Sequence, residues 1–143
     1  MNGDVLVRRH GCLIDTEPAT TDLELVTSVL AGSYWAAGLS REVLERSIRH
    51  ALVWNLREDA GGAQLGFARV VTDTVRFAWL SDVFIIERAR GRGLGRFLVE
   101  TVLPDPRVAA VERWLLATRD MHPLYRQFGF EDVPDGRYMV RAR

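Results

Sequence analysis

"RARGRGLGRFLVE", residues 88–100, sets three glycines and four arginines directly before an apolar segment with helical spacing. Glycine weakens a helix interior, and clustered arginines repel one another unless an anion sits among them. A strand, a glycine-rich turn and a helix N-terminus together form an anion site. The first-turn N–H groups there are unpaired, and the helix dipole favours negative charge. Gly91, Gly93 and Gly95 keep side chains away from that backbone, and Arg90, Arg92 and Arg96 are expected at the rim as charged donors. The arrangement suits a pyrophosphate better than a small single anion. The plain alternative is a tight strand-to-helix turn with solvated arginines. Two familiar phosphate loops fail on spacing: G-x-G-x-x-G would need glycine where Arg96 stands, and the Walker loop needs a lysine that this chain lacks.

Outward from the loop, the pattern predicts one mixed α/β (α+β) domain over residues 1–143. Upstream, "ALVWNLRE" (51–58), the turn "DAGG" (59–62), "AQLGFARVV" (63–71), the turn "TDT" (72–74) and "VRFAWLSDVFII" (75–86) read as an antiparallel meander. Alternation groups Leu65, Phe67, Arg69 and Val71 on one face of the second strand. It groups Leu80, Asp82, Phe84 and Ile86 on one face of the third. Before the meander come two helices. Thr21 and Glu24 have capping-box spacing for the first, which Gly32 ends. Ser40 is the N-cap of the second, with Leu39 and Leu44 as its hydrophobic staple. Downstream follow the helix "GLGRFLVETVL" stopped by Pro104, the strand "RWLLAT" (113–118), a helix over 120–128 with Gly129 beyond its end, and an alternating final strand "RYMVRAR" (137–143).

Composition narrows the function. Nineteen basic and 19 acidic residues give zero net charge, which argues against a general nucleic-acid or membrane-surface binder. All 19 basic residues are arginine. Cys12 is the only cysteine, so no intramolecular disulfide or cysteine-based metal site is available, and no metal is expected. The opening "MNGDVLVRRHG" has no signal-peptide apolar core, and a cytoplasmic location is expected.

Arg90-Gly91-Arg92-Gly93-Leu94-Gly95 satisfies every position of the pattern (Arg/Gln)-x-x-Gly-x-(Gly/Ala). With "LSDVFIIERAR" before it and "RWLLATRDMHPLYRQFGF" after it, the chain resembles the GNAT superfamily of CoA-dependent N-acetyltransferases from about Thr21 onward. The resemblance implies a mostly antiparallel sheet whose fourth and fifth strands splay apart around acetyl-CoA. It implies that backbone groups of Val83, Phe84 and Ile85 pair with the pantetheine arm, and that the 91–96 amides hold the pyrophosphate. It further implies that an amine attacks the thioester directly, through a tetrahedral intermediate. A homodimer is compatible with it.

Tyr125 matches the tyrosine that resembling enzymes use as general acid toward the CoA sulfur. The general base is open. Asp82 stands on an otherwise apolar strand, so either Arg69 or another donor neutralises it, or it serves the acceptor site. His122 is a second candidate beside the thioester site, Asp73 in the "TDT" turn a weaker one, and a water relay would do as well. Asp120 departs from the family, where an asparagine further before the tyrosine contacts the cofactor; N-capping of the last helix competes with that role. In "SYWAAG" (33–38), Tyr34 and Trp35 are expected to wall an acceptor pocket, against a plain core role. The expected reaction is acetyl transfer from acetyl-CoA to a primary amine of a small molecule or peptide. A catalytically silent acyl-CoA-binding module is the alternative, and an arginine-lined RNA surface ranks below both.

Overall fold

The computed structural model describes residues 5–59 and 62–143. Two positions of the expected "DAGG" turn, Ala60 and Gly61, and the first four residues lie outside that description. Six strands form one sheet in chain order: β1 (Val5–Arg9), β2 (Cys12–Asp15), β3 (Leu52–Glu58), β4 (Gln64–Thr72), β5 (Phe77–Ile85) and β6 (Arg113–Leu116). Neighbours are antiparallel except β5 and β6, which run parallel. Among the described residues four α-helices, α1 (Leu23–Ala31), α2 (Arg41–Arg49), α3 (Leu94–Val102) and α4 (His122–Arg126), complete the mixed α/β architecture that the sequence implied. Among the described residues no helix is long and apolar enough to cross a membrane.

The sheet buries both faces. On one, Phe97, Leu98 and Val102 of α3 pack with Trp54, Leu56 and Leu80. On the other, Val26 and Leu30 of α1 and Leu44 and Ile48 of α2 cover Val53, Phe67 and Phe84. Each such side chain, fully buried, contributes about 1.5–3 kcal/mol. At the edge of the first core, Asp105 accepts from the Trp54 indole at 3.2 Å and from Arg107 at 2.9 Å. Burial pushes this carboxyl up, but the Arg107 side-chain and backbone donors and the Trp54 indole outweigh that and hold it below its ordinary range.

The sequence reading is corrected at five places. Val5–Arg9 and Cys12–Asp15 form a hairpin that no expectation covered; His10 and Gly11, at φ 59° and 72°, make its two-residue turn. The N-cap of α1 is Asp22, whose carboxylate accepts from the Leu25 amide, while Thr21 is buried and donates to Asn55. Ser40 caps α2 as expected. The alternation in the meander breaks at two bulges. One, near Gln64 and Gly66, places Leu65 with the α3 core and Phe67 with the α1/α2 core. The other, between the pairs Phe67↔Phe84 and Arg69↔Ser81, inserts an extra residue in β5. Leu80 therefore faces the α3 core, whereas Asp82 and Phe84 face the α1/α2 side. The last helix is shorter than 120–128, and its N-cap is Met121, not Asp120. The stretch "RYMVRAR" is not a strand. A turn closed by the Arg137 amide on Pro134 precedes it, no strand pairs with it, and Met139 and Val140 are almost fully exposed.

Candidate functional site

β5 and β6 pair only from Phe77↔Arg113 to Leu80↔Leu116; β6 then ends while β5 runs on to Ile85. The bulge at Asp82, a non-glycine residue at φ 56°, adds local twist where the strands part. A cleft of about 760 Å³ opens there. Val83, Phe84 and Ile85 line one wall, the segment from Leu116 to Asp120 the other, and Tyr34 and Trp35 also border it. The β5 edge facing β6 has no strand partner beyond Leu80, so its backbone groups are open to an extended ligand. Ile85 is a partial exception, because its carbonyl already accepts from Arg90 Nε at 3.0 Å.

The glycine turn ends the cleft. The Arg90 amide bonds to Glu87, and the next amide with a protein acceptor is that of Phe97, on Gly93. The amides of residues 91–96 lie between and donate to no described residue, consistent with the open first turn of α3. Gly91 and Gly93 take φ 81° and 75°, which side-chain-bearing residues adopt only under strain, and Gly93 is the N-cap of α3. Gly91, Gly93, Leu94, Gly95 and Arg90 line the cleft.

Arg92 and Arg96 do not line it. Arg92 reaches the N-terminal hairpin, donating to the His10 carbonyl at 3.3 Å and approaching the buried Cys12 sulfur. Arg96 bonds to Glu100 and Gln127 and stacks on Phe128. Arg88 pairs with Glu58. The loop's arginines thus diverge: Arg90 borders the cleft, while Arg88, Arg92 and Arg96 turn to partners elsewhere.

Tyr125, on α4, lines the cleft, is buried, and its hydroxyl makes no hydrogen bond to any described residue. Burial, with a smaller contribution from Tyr34, pushes its phenol up to about 12. Asp82 is nearly buried and already occupied. Its Oδ2 accepts from Arg69 Nε at 2.7 Å and its Oδ1 from the Trp35 indole at 3.1 Å. Of the two expectations for Asp82, neutralisation by Arg69 is the observed arrangement, and Arg69 stands behind Asp82, not on the cleft wall.

Other candidates disperse. His122 begins α4 and does not line the cleft. Asp73 is a turn residue: its exposed carboxylate accepts from the amides of Val75, Arg76 and Phe77, which hold it below its ordinary range. It too lies outside the cleft. Asp120, which does not cap α4, lines the cleft. Tyr34 and Trp35 are both about half exposed and edge-to-face at 5.1 Å, so neither is a core aromatic. Trp79, Ser81 and Arg119 are lining residues that no motif singled out. Trp79 and Ser81 precede the bulge on an ordinary strand, and Arg119 meets Tyr34 twice, its amide donating to the hydroxyl at 2.8 Å and its guanidinium lying over the ring.

A family model described as an acetyltransferase (GNAT) domain matches residues 49–132. A solved chain placed in the GNAT family, from Xanthomonas campestris pv. campestris, is 32% identical with a TM-score of 0.87 and covers 96% of each chain. A chain from Clostridium acetobutylicum, solved with acetyl-CoA, shares the fold at TM-score 0.68 with 13% identity, over 91% of this chain and 96% of that one. A curated Gibberella zeae protein, provisionally named an acetyltransferase, is 26% identical over 87% of this chain and 81% of its own length.

Proposed function

The chain belongs to the GNAT acetyltransferase family, and on that premise we propose that it moves an acetyl group from acetyl-CoA to the primary amine of a small molecule or peptide. The observation that carries the cofactor assignment is the run of partnerless amides at residues 91–96, at the end of a cleft whose β5 wall is an unpaired strand edge. Six successive N–H donors at a helix N-terminus fit a diphosphate, and an open strand edge fits an extended amide-bearing arm. When bound, acetyl-CoA supplies an acyl group already activated as a thioester.

The protein's own residues then have three tasks. The 91–96 amides and the β5 edge hold one reactant at a fixed place, which removes orientational entropy from the encounter. The Tyr125 hydroxyl holds its proton throughout the physiological range, as any phenol does, and can donate it within the cleft, although burial, which pushes it up to about 12, makes it a weaker acid than an exposed tyrosine. Asp82 is committed to Arg69 and Trp35, so the proton released by the amine goes to solvent in the open cleft and not to this carboxylate.

A thermal-shift titration with acetyl-CoA, free CoA, NADH and ATP tests the reading. A ligand at about 100 times its dissociation constant adds roughly 2.7 kcal/mol, or about 5–10 °C for a chain of this size. The CoA species alone should give it, and Gly93→Glu should abolish it while the protein stays folded. A Gly93→Glu protein that still responds to CoA refutes the cradle. Binding without thiol release for any amine would make the chain an acyl-CoA-binding module.

A further inference from the structure

The segment 33–38 is fastened to both walls of the cleft. On the β5 side the Trp35 indole donates to Asp82, which Arg69 holds in turn at 2.7 Å; Arg69 also reaches Ser81 Oγ at 3.4 Å. On the β6 side the Arg119 amide donates to the Tyr34 hydroxyl, and the Arg119 guanidinium lies 3.9 Å from the Tyr34 ring centroid. Trp79, six residues and hence about 20 Å back along β5 from Ile85, also lines the cleft, toward the end remote from the glycine turn. The charges there do not suit a polycation. The Asp82 carboxylate is matched by Arg69, and the wall carries one further carboxylate, Asp120, beside the cationic Arg119 in sequence.

We propose that the acceptor is a monoamine with an aromatic body stacked on Trp35, and that Asp82 and Arg69 are positioning residues that set this indole. The inference rests on the acetyl-transfer reading and supplies its substrate class. Aromatic faces bind an aromatic body by stacking and apolar burial, and such contacts are directional only if the wall is held still. The left-handed backbone at Asp82 turns the carboxylate to the side where Trp35 arrives; on an unbroken strand this residue would share a face with Leu80. Asp82 therefore acts through Trp35 and not on the reacting amine.

Calorimetric titration of 2-phenylethylamine and of spermidine, with and without saturating CoA, separates the possibilities. The aromatic monoamine should bind at least about tenfold tighter than spermidine. Trp35→Ala and Asp82→Ala should each weaken it about tenfold, and the double variant should be no worse than either, as expected of residues acting as one unit. Asp82→Asn tolerates the left-handed backbone but leaves one acceptor oxygen for two donors, so it should weaken amine binding by less than Asp82→Ala does while turnover at saturating amine stays within about threefold. Spermidine binding as tightly as the aromatic amine overturns the substrate class. Additive losses, or an Asp82→Ala protein with unchanged affinity, overturn the positioning role, and a fall of about 10²-fold or more in turnover for Asp82→Asn would make Asp82 a base instead. Absence of CoA binding in the same titrations would count against acetyl transfer while leaving the amine comparison readable.

Discussion

Replacing Tyr125 with phenylalanine removes one oxygen from a buried ring that keeps its packing, so its consequences separate cleanly. The hydroxyl has no described protein partner, so no donor or acceptor is orphaned by its loss. Stability near neutral pH should change by less than about 1 kcal/mol, within about 3 °C of the wild-type midpoint. Loss of a general acid, in contrast, should cut kcat by about 10²–10⁴, equivalent to roughly 2.7–5.5 kcal/mol of barrier. Thiol release at saturating acetyl-CoA measures the rate, and the CoA-dependent thermal shift measures cofactor affinity, which should be nearly kept. The phenol also leaves a signature at high pH. Its ordinary value is 10.0 and burial raises it to about 12, so between those values the unfolded chain sheds a proton that the folded protein keeps. A raised value means the contribution is intact below about pH 10 and is lost as pH climbs toward about 12, by some 2.7 kcal/mol in all. Tyr125→Phe should lack that part of the alkaline decline. An unchanged kcat would reduce Tyr125 to packing, and an unchanged alkaline limb would refute the environment assigned to it.

Two further perturbations test the structure around the site. Gly93→Ala forces a side chain into φ 75° with nothing within 4 Å to relieve or worsen it, so it should cost about 1–2 kcal/mol, whereas Gly95→Ala, in the helix and 3.9 Å from Ile85, should be neutral or slightly stabilising; paired thermal melts check the contrast. The Asp105 carboxyl, held below its ordinary 3.8, contributes stability above about pH 4 that is lost as pH falls through the lower folded value, so Asp105→Asn should flatten the acid limb of the midpoint-against-pH curve below about pH 4.

The loop, the meander and the helix after the loop were legible because glycine, proline and apolar spacing are local signals. Gly93 needs only its own φ to be understood, and Ser40 only the amide of Val43. What escaped depends on partners distant in sequence. The first hairpin turns on His10, which stands where asparagine or aspartate would have signalled a left-handed turn. The faces of β4 and β5 were misassigned because a bulge is a property of two paired strands, and nothing in either strand alone marks the extra residue. Arg92 and Arg96 were placed at the anion by adjacency, yet a long side chain goes where its acceptors are: the His10 carbonyl 82 positions away and Gln127 31 positions away. The tail misled in the opposite sense, since alternation without an edge to pair with makes no strand.

The bulge at Asp82 has a consequence for how such a chain can change over evolutionary time. A left-handed non-glycine residue costs on the order of 1–3 kcal/mol, and a single deletion in β5 would relieve it by restoring an unbroken ladder with β4. That shorter chain would be sounder as a folded object and would keep its facing on both sides of the deletion, but it would undo the twist that parts β5 from β6. Stability and usefulness therefore pull in opposite directions at one position. Selection for robustness alone would favour the deletion; the bulged strand is the costlier form, and it is the one that keeps the cleft open.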